Sequence, residues 1–118
     1  MTNSLISGDI RFAEHPSLPE GAKIYVRLLD TSLADAPAKV VAEQVLTDIS
    51  KNANSGEPVS FTIDGKIENQ QGSYSISVLI DVDGDGKRGK GDFINMQSYP
   101  VLTFGYPSQV SVLVKRIQ

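Results

Sequence analysis

The sequence predicts an all-β protein, an antiparallel β-sandwich of about seven short strands. Three observations lead there. Apolar residues recur with a period of two in several short runs, turn-rich stretches separate those runs, and no segment carries a clear helical period. A chain of 118 residues is expected to form one domain, spanning 1–118, with a single core between two sheets.

The first run, "ISGDIRF", places Ile6, Gly8, Ile10 and Phe12 on one face and Ser7, Asp9 and Arg11 on the other. "KIYVRLLD" repeats the pattern with Ile24, Val26 and Leu28 against Tyr25 and Arg27. "APAKVVAEQVLTDI" is ambiguous. Val41, Val45 and Ile49 have helical spacing and the alanines favour helix, whereas the valine density favours strand. A strand is preferred, because the neighbouring elements need a partner. "PVSFTID" contributes Val59, Phe61 and Ile63. "SYSISVLID" contributes Tyr74, Ile76, Val78 and Ile80 against Ser75 and Ser77. "FINMQSYPVLT" is strand-like but broken by Pro100, which suggests an edge or a bulge. "QVSVLVKR" closes the chain with Val110, Val112 and Val114. Between them, "EHPSLPEGA", "SKNANSGEP", "DGKIENQQG" and "FGYP" read as turns.

Composition excludes several functions. The net charge of −3 argues against nucleic acid as a main partner, since neutralising phosphates requires a basic surface. The basic run "KRGK" is short and mixed with acid. No apolar run approaches the ~20 residues that span a bilayer as a helix. With no cysteine, disulfides, thiolate metal sites and cysteine nucleophiles are ruled out. The N-terminus "MTNSLISGDI" lacks the basic start and apolar stretch of a signal peptide. Two settings stay open: the cytoplasm, or the cell envelope for a mature domain whose leader has been removed.

The most distinctive stretch is "DVDGDGKRGKGD", residues 81–92. A twelve-residue calcium loop draws oxygen ligands from positions 1, 3, 5, 7, 9 and 12, with glycine at 6 for the sharp turn. Those positions are Asp81, Asp83, Asp85, Lys87 (through its carbonyl), Gly89 and Asp92, with Gly86 at the turn. Arg88 replaces the usual aliphatic residue, Asp92 is a shorter ligand than glutamate, and Lys87, Arg88 and Lys90 offset much of the acidic charge. No helix flanks the loop, so it would be a β-flanked analogue with weak affinity, roughly 10⁻⁴–10⁻³ M. Calcium is thus the expected cofactor. The alternative is a metal-free turn in which Asp and Gly supply backbone geometry. Magnesium for phosphate chemistry is a further alternative, although that ion prefers one or two protein carboxylates and several waters.

No catalytic residue is expected. The G-x-G-x-x-G through Gly84, Gly86 and Gly89 has no helix after it to receive a phosphate. His15, the one histidine, stands in a proline-flanked turn, and no serine has a nucleophile-elbow context. The carboxylates of the loop compete for one small volume and do not read as a glycosidase pair. Tyr25, Tyr74, Tyr99 and Tyr106 read as packing or sheet-surface residues.

One resemblance adds to this. The glycine-containing first strand, the turn "LPEGA" (18–22), the strand "IYVRLLD", the stretch "SLADAPAKVVAEQ" and the Pro-initiated "PVSFTID" before Tyr74 and Ile76 resemble the YbaY/YscW-like family. These are small bacterial lipoproteins, some of which are pilotin-type chaperones for outer-membrane secretion components. The resemblance implies a transthyretin-like (prealbumin-like) sandwich, export to the periplasm or cell envelope, and a non-enzymatic binding or chaperone role. A protein partner is then expected, engaged through an open sheet edge by strand addition or through the loops. The lipid-carrying cysteine of such proteins is absent from this sequence, and no family ligand maps onto the 81–92 loop.

Overall fold

The computed structural model describes residues 5–14, 16–32, 38–64, 72–83, 89–95, 97, 99–102 and 108–117. The elements in order are β1 (Leu5–Phe12), β2 (Lys23–Asp30), β3 (Lys39–Leu46), α1 (Ser50–Asn54), β4 (Val59–Asp64), β5 (Tyr74–Asp81), β6 (Phe93–Asn95), β7 (Pro100–Val101) and β8 (Gln109–Arg116). The all-β expectation holds, and the ambiguous segment is strand β3. The "SKNAN" stretch, expected to be a turn, instead forms a single short helix.

The strands make one continuous sheet in the order β3-β2-β5-β6-β8-β1-β4, with β7 attached to β5. Two separate sheets were expected; among the described residues the pairing runs unbroken and curls into a barrel-like form. The expectation of purely antiparallel pairing needs a second correction. β1 and β8 run parallel, from Ser7↔Gln109 to Phe12↔Val114. Parallel neighbours need a long crossover, and here nearly the whole chain lies between them.

The inward faces are those read from the alternation. Ile6 and Ile10, Ile24 to Leu28, Phe61 and Ile63, Tyr74 to Ile80, and Val112 and Val114 alternate into one buried cluster. Full burial of each such aliphatic side chain contributes about 1.5–3 kcal/mol relative to exposure. Ala53 of α1 and Ile49 before it are buried as well, so the helix packs against this core. The amide of Asn54 grips the Leu18 peptide from both sides, accepting from Leu18 N at 2.7 Å and donating to Leu18 O at 2.9 Å. That bond pair ties the "LPEGA" turn to the helix.

Where main-chain ladders stop, side chains take over. Asn95 Oδ1 accepts from Val78 N at 3.0 Å, and Tyr99 Oη accepts from Leu113 N at 2.7 Å. Between the terminal strands β3 and β4, Gln44 Oε1 accepts from Thr62 N at 3.1 Å. These bonds satisfy strand N–H groups that would otherwise face an incomplete neighbour. Pro100 opens β7 and, among the described residues, pairs with Ser75 of β5 alone, in keeping with its lack of an N–H.

At the end of β2, hydrogen bonds from the Ser32 side chain and backbone, with Lys39 nearby, hold the Asp30 carboxyl below its ordinary range. A depressed carboxylate stabilises the fold above its unfolded pKa, and that contribution is lost as pH falls through the folded value.

Candidate functional site

β5 ends at Asp81 and β6 begins at Phe93, and the register Ile80↔Phe93 makes Asp81 and Asp92 the next residues in line. Asp81 shares its parity with Leu79, on the outer side of the sheet, yet both carboxylates are only 1% exposed. Among the described residues they are the buried charged side chains. Buried ionised carboxylates require compensation by hydrogen bonds or a cation.

Asp92 has part of that compensation. Its Oδ1 accepts from Val82 N and its Oδ2 from Gly89 N, each at 2.9 Å. The main chain adds Ile117 N to Asp92 O at 2.8 Å and Gly91 N to Ile117 O at 3.0 Å. Asp92 therefore clamps both ends of the loop and fastens it to the chain after β8. Gly91 sits at φ +91°, a left-handed conformation that glycine adopts without steric cost.

One carboxylate oxygen each from Asp81, Asp83 and Asp92 lies within 4.8 Å of the others. Two oxygens on opposite sides of a calcium ion at about 2.4 Å are about 4.8 Å apart, so the spread matches a common coordination sphere. The donor set also fits, because hard cations select carboxylate oxygen. The structure thus brings together Asp81, Asp83 and Asp92; Asp85 and Lys87 lie outside the described residues, as does His15.

Two features escaped the reading of the sequence. The bridging roles of Gln44, Asn95 and Tyr99 have no local signature, since each depends on a strand 14 to 18 residues away. The second, the apolar pairing of Val45, Tyr25 and Leu79 on the outer side of the sheet, did leave a trace. Leu79 and Val45 are apolar at positions where alternation expects polar residues, and Val45 is 44% exposed.

The family model for type III secretion system lipoprotein chaperones, YscW, matches residues 1–114. The chain belongs to this family. A solved structure of similar fold, an alternative pilotin from the type II secretion system of Vibrio cholerae, is 28% identical. The match covers 99% of each chain with a TM-score of 0.80. No curated protein sequence matches the chain. Among the described residues of this YscW-family chain, no helix is long and apolar enough to cross a membrane.

Proposed function

We propose that this protein is a non-catalytic, pilotin-type chaperone of the cell envelope that binds a protein component of a secretion system. The observation that carries the reading is the likeness to the Vibrio cholerae pilotin along the entire chain, at 28% identity. The family membership supports it, and the periplasmic setting implied by the resemblance is part of the same proposal. Chaperoning requires a binding surface rather than reacting groups. The decisive experiment deletes the coding sequence and follows the outer-membrane secretion component by envelope fractionation. Failure of that component to reach the outer membrane, restored by the intact chain, is the expected result. Normal assembly in the deletion strain would overturn the reading.

In the same reading, the 81–92 loop binds calcium through Asp81, Asp83 and Asp92, with Asp85 and the Lys87 carbonyl as the remaining ligands of the motif. The ion would neutralise buried carboxylates and stiffen the loop. For a dissociation constant of about 10⁻⁴–10⁻³ M, 10 mM calcium should stabilise the fold by about 1.4–2.7 kcal/mol. Chelator-treated protein titrated with calcium should give saturable amide shifts centred on 81–92, with magnesium much weaker. Asp83→Ala combined with Asp85→Ala should abolish the thermal shift while leaving the strands folded. A second reading, a metal-free turn, is favoured by the two backbone N–H groups already held by Asp92. Absence of any response at several millimolar calcium would establish that reading instead.

A further inference from the structure

At the end of the barrel where β1 and β8 finish, the inward parity of both strands passes from apolar to charged. Ile10 and Phe12 of β1 are followed two residues on by Glu14, and Val112 and Val114 of β8 by Arg116. Ala13 N donates to Val114 O at 3.0 Å, which carries the parallel ladder one residue past Phe12↔Val114. Glu14 and Arg116 are the next pair in line, on chains spaced by about 4.8 Å. On its other side Arg116 stands opposite Phe93 of β6. Among the described residues, neither Glu14 nor Arg116 makes an ion pair, with each other or with a third group.

Both side chains line one hollow of about 260 Å³ at this mouth. Its floor is apolar: Pro16, Leu18 and Phe93 are buried and Val82 is half-buried. Each wall is fastened separately. The Phe93 ring packs edge-on against Phe12, with centroids 5.3 Å apart, the Leu18 peptide is gripped by Asn54, and Val82 N is held by Asp92. The floor is thus formed before any ligand arrives. The acidic cluster belongs to the other side of the sheet. Asp81 and Asp92 have the parity opposite to Ile80 and Phe93, Lys23 stands opposite Asp81 there, and Asp92 already accepts from Val82 N and Gly89 N. Among the described residues, the charged side chains lining the hollow are one acid and one base.

This arrangement selects its ligand by charge and size. A simple carboxylate on Arg116 would sit beside the Glu14 carboxylate, and a simple amine on Glu14 would sit beside the Arg116 guanidinium. A molecule with both charges on neighbouring atoms and an apolar side chain satisfies the acid, the base and the floor together. The volume lies below the roughly 300–1,000 Å³ of sites for drug-sized molecules, so the ligand is a small metabolite.

We propose that this hollow binds a free apolar α-amino acid, with its ammonium on Glu14, its carboxylate on Arg116 and its side chain on Leu18, Val82 and Phe93. Glu14 and Arg116 are exposed, so each ionic contact is weak, and a dissociation constant of about 10⁻⁴–10⁻³ M is expected. The inference uses neither the chaperone reading nor the calcium reading.

The test titrates the isotope-labelled full chain, in chelator, with both enantiomers of leucine and of phenylalanine, followed by amide and methyl NMR. At least one of the four should give saturable shifts at Leu18, Val82, Phe93 and Arg116. For that amino acid, the N-acetyl and the carboxamide derivatives, each lacking one charge, should bind at least about tenfold more weakly, as should glycine, which lacks the side chain. Glu14→Gln and Arg116→Gln should each weaken binding about tenfold with an unchanged urea midpoint, since both positions are exposed. Glu14→Gln should also erase the preference over the N-acetyl derivative, and Arg116→Gln the preference over the carboxamide. These paired losses separate direct contact from a general effect on the fold. Absence of saturable shifts with all four amino acids at about 20 mM would overturn the inference. So would equal binding of the N-acetyl derivative, which would make this a site for apolar carboxylates, or indifference of binding to both substitutions.

Discussion

Replacing Gly8 with alanine is expected to destabilise the protein by about 3 kcal/mol, among the larger effects a single methyl can produce. A Cβ at this position would lie 2.0 Å from the Val110 carbonyl oxygen and 3.0–3.1 Å from Cζ and Cε2 of the Phe61 ring. The first obstacle is backbone. Val110 stands opposite Gly8 in the parallel β1–β8 pair, so its carbonyl moves only if that pairing moves. The second obstacle is the ring itself, which is buried and occupies the space an inward side chain would take. Phe61 and Gly8 thus form one complementary unit: the large residue on β4 needs the missing side chain on β1. The urea midpoint should fall by about 2 M with an unchanged m-value, the signature of a weakened but still cooperative fold. A loss below about 1 kcal/mol would mean that β1 and β8 separate with little cost, contrary to the ladder described above.

Asp92→Ala should cost a similar amount by a different route. The substitution leaves Val82 N and Gly89 N without their acceptor at a site only 1% exposed. Each lost bond to a carboxylate is worth about 1.5–3 kcal/mol, and partial access of water lowers the total to about 3 kcal/mol. Asp92→Asn should fall between, because the amide keeps one accepting oxygen and turns a donor toward the other N–H. Urea unfolding in chelator isolates this clamp. Repeating it in 10 mM calcium measures any additional stabilisation by the ion, which both substitutions should reduce. An alanine variant within about 0.5 kcal/mol of the parent would sink the clamp argument, since it would put Val82 N and Gly89 N within reach of other acceptors.

Much of this fold was legible because its signal is local. Period-two alternation depends on residues two apart, so Ile24, Val26 and Leu28, or Tyr74 through Ile80, announce their buried face without reference to any other segment. Segment 39–46 was less clear, and its surroundings explain why. As a terminal strand it turns Ala42, Gln44 and Leu46 to a half-buried seam and leaves Val41 and Val45 exposed, which blurs the alternation. A bulge between Leu28 and Leu29 shifts its pairing and leaves Val41 outside the register. The short helix went unread because "SKNAN" carries too few apolar positions to show a period. Of the candidate site, the spacing of acidic residues was visible, but not that Asp81 and Asp92 are buried as neighbours at the mouth of a hairpin.

The sequence by itself determined the β class, the inward faces of the long strands, the acidic loop and its glycines, and the absence of any cysteine chemistry. Each of these is a property of residue type at short spacing. The tertiary structure alone decided the rest: one continuous sheet, the parallel meeting of β1 with β8, and the stitching of the barrel by Gln44, Asn95 and Tyr99. It also decided that Val45, Tyr25, Leu79 and Ile94 share one exterior row. These depend on which strands become neighbours, and that is set by burying the whole core at once, a cooperative choice that no short window of residues records.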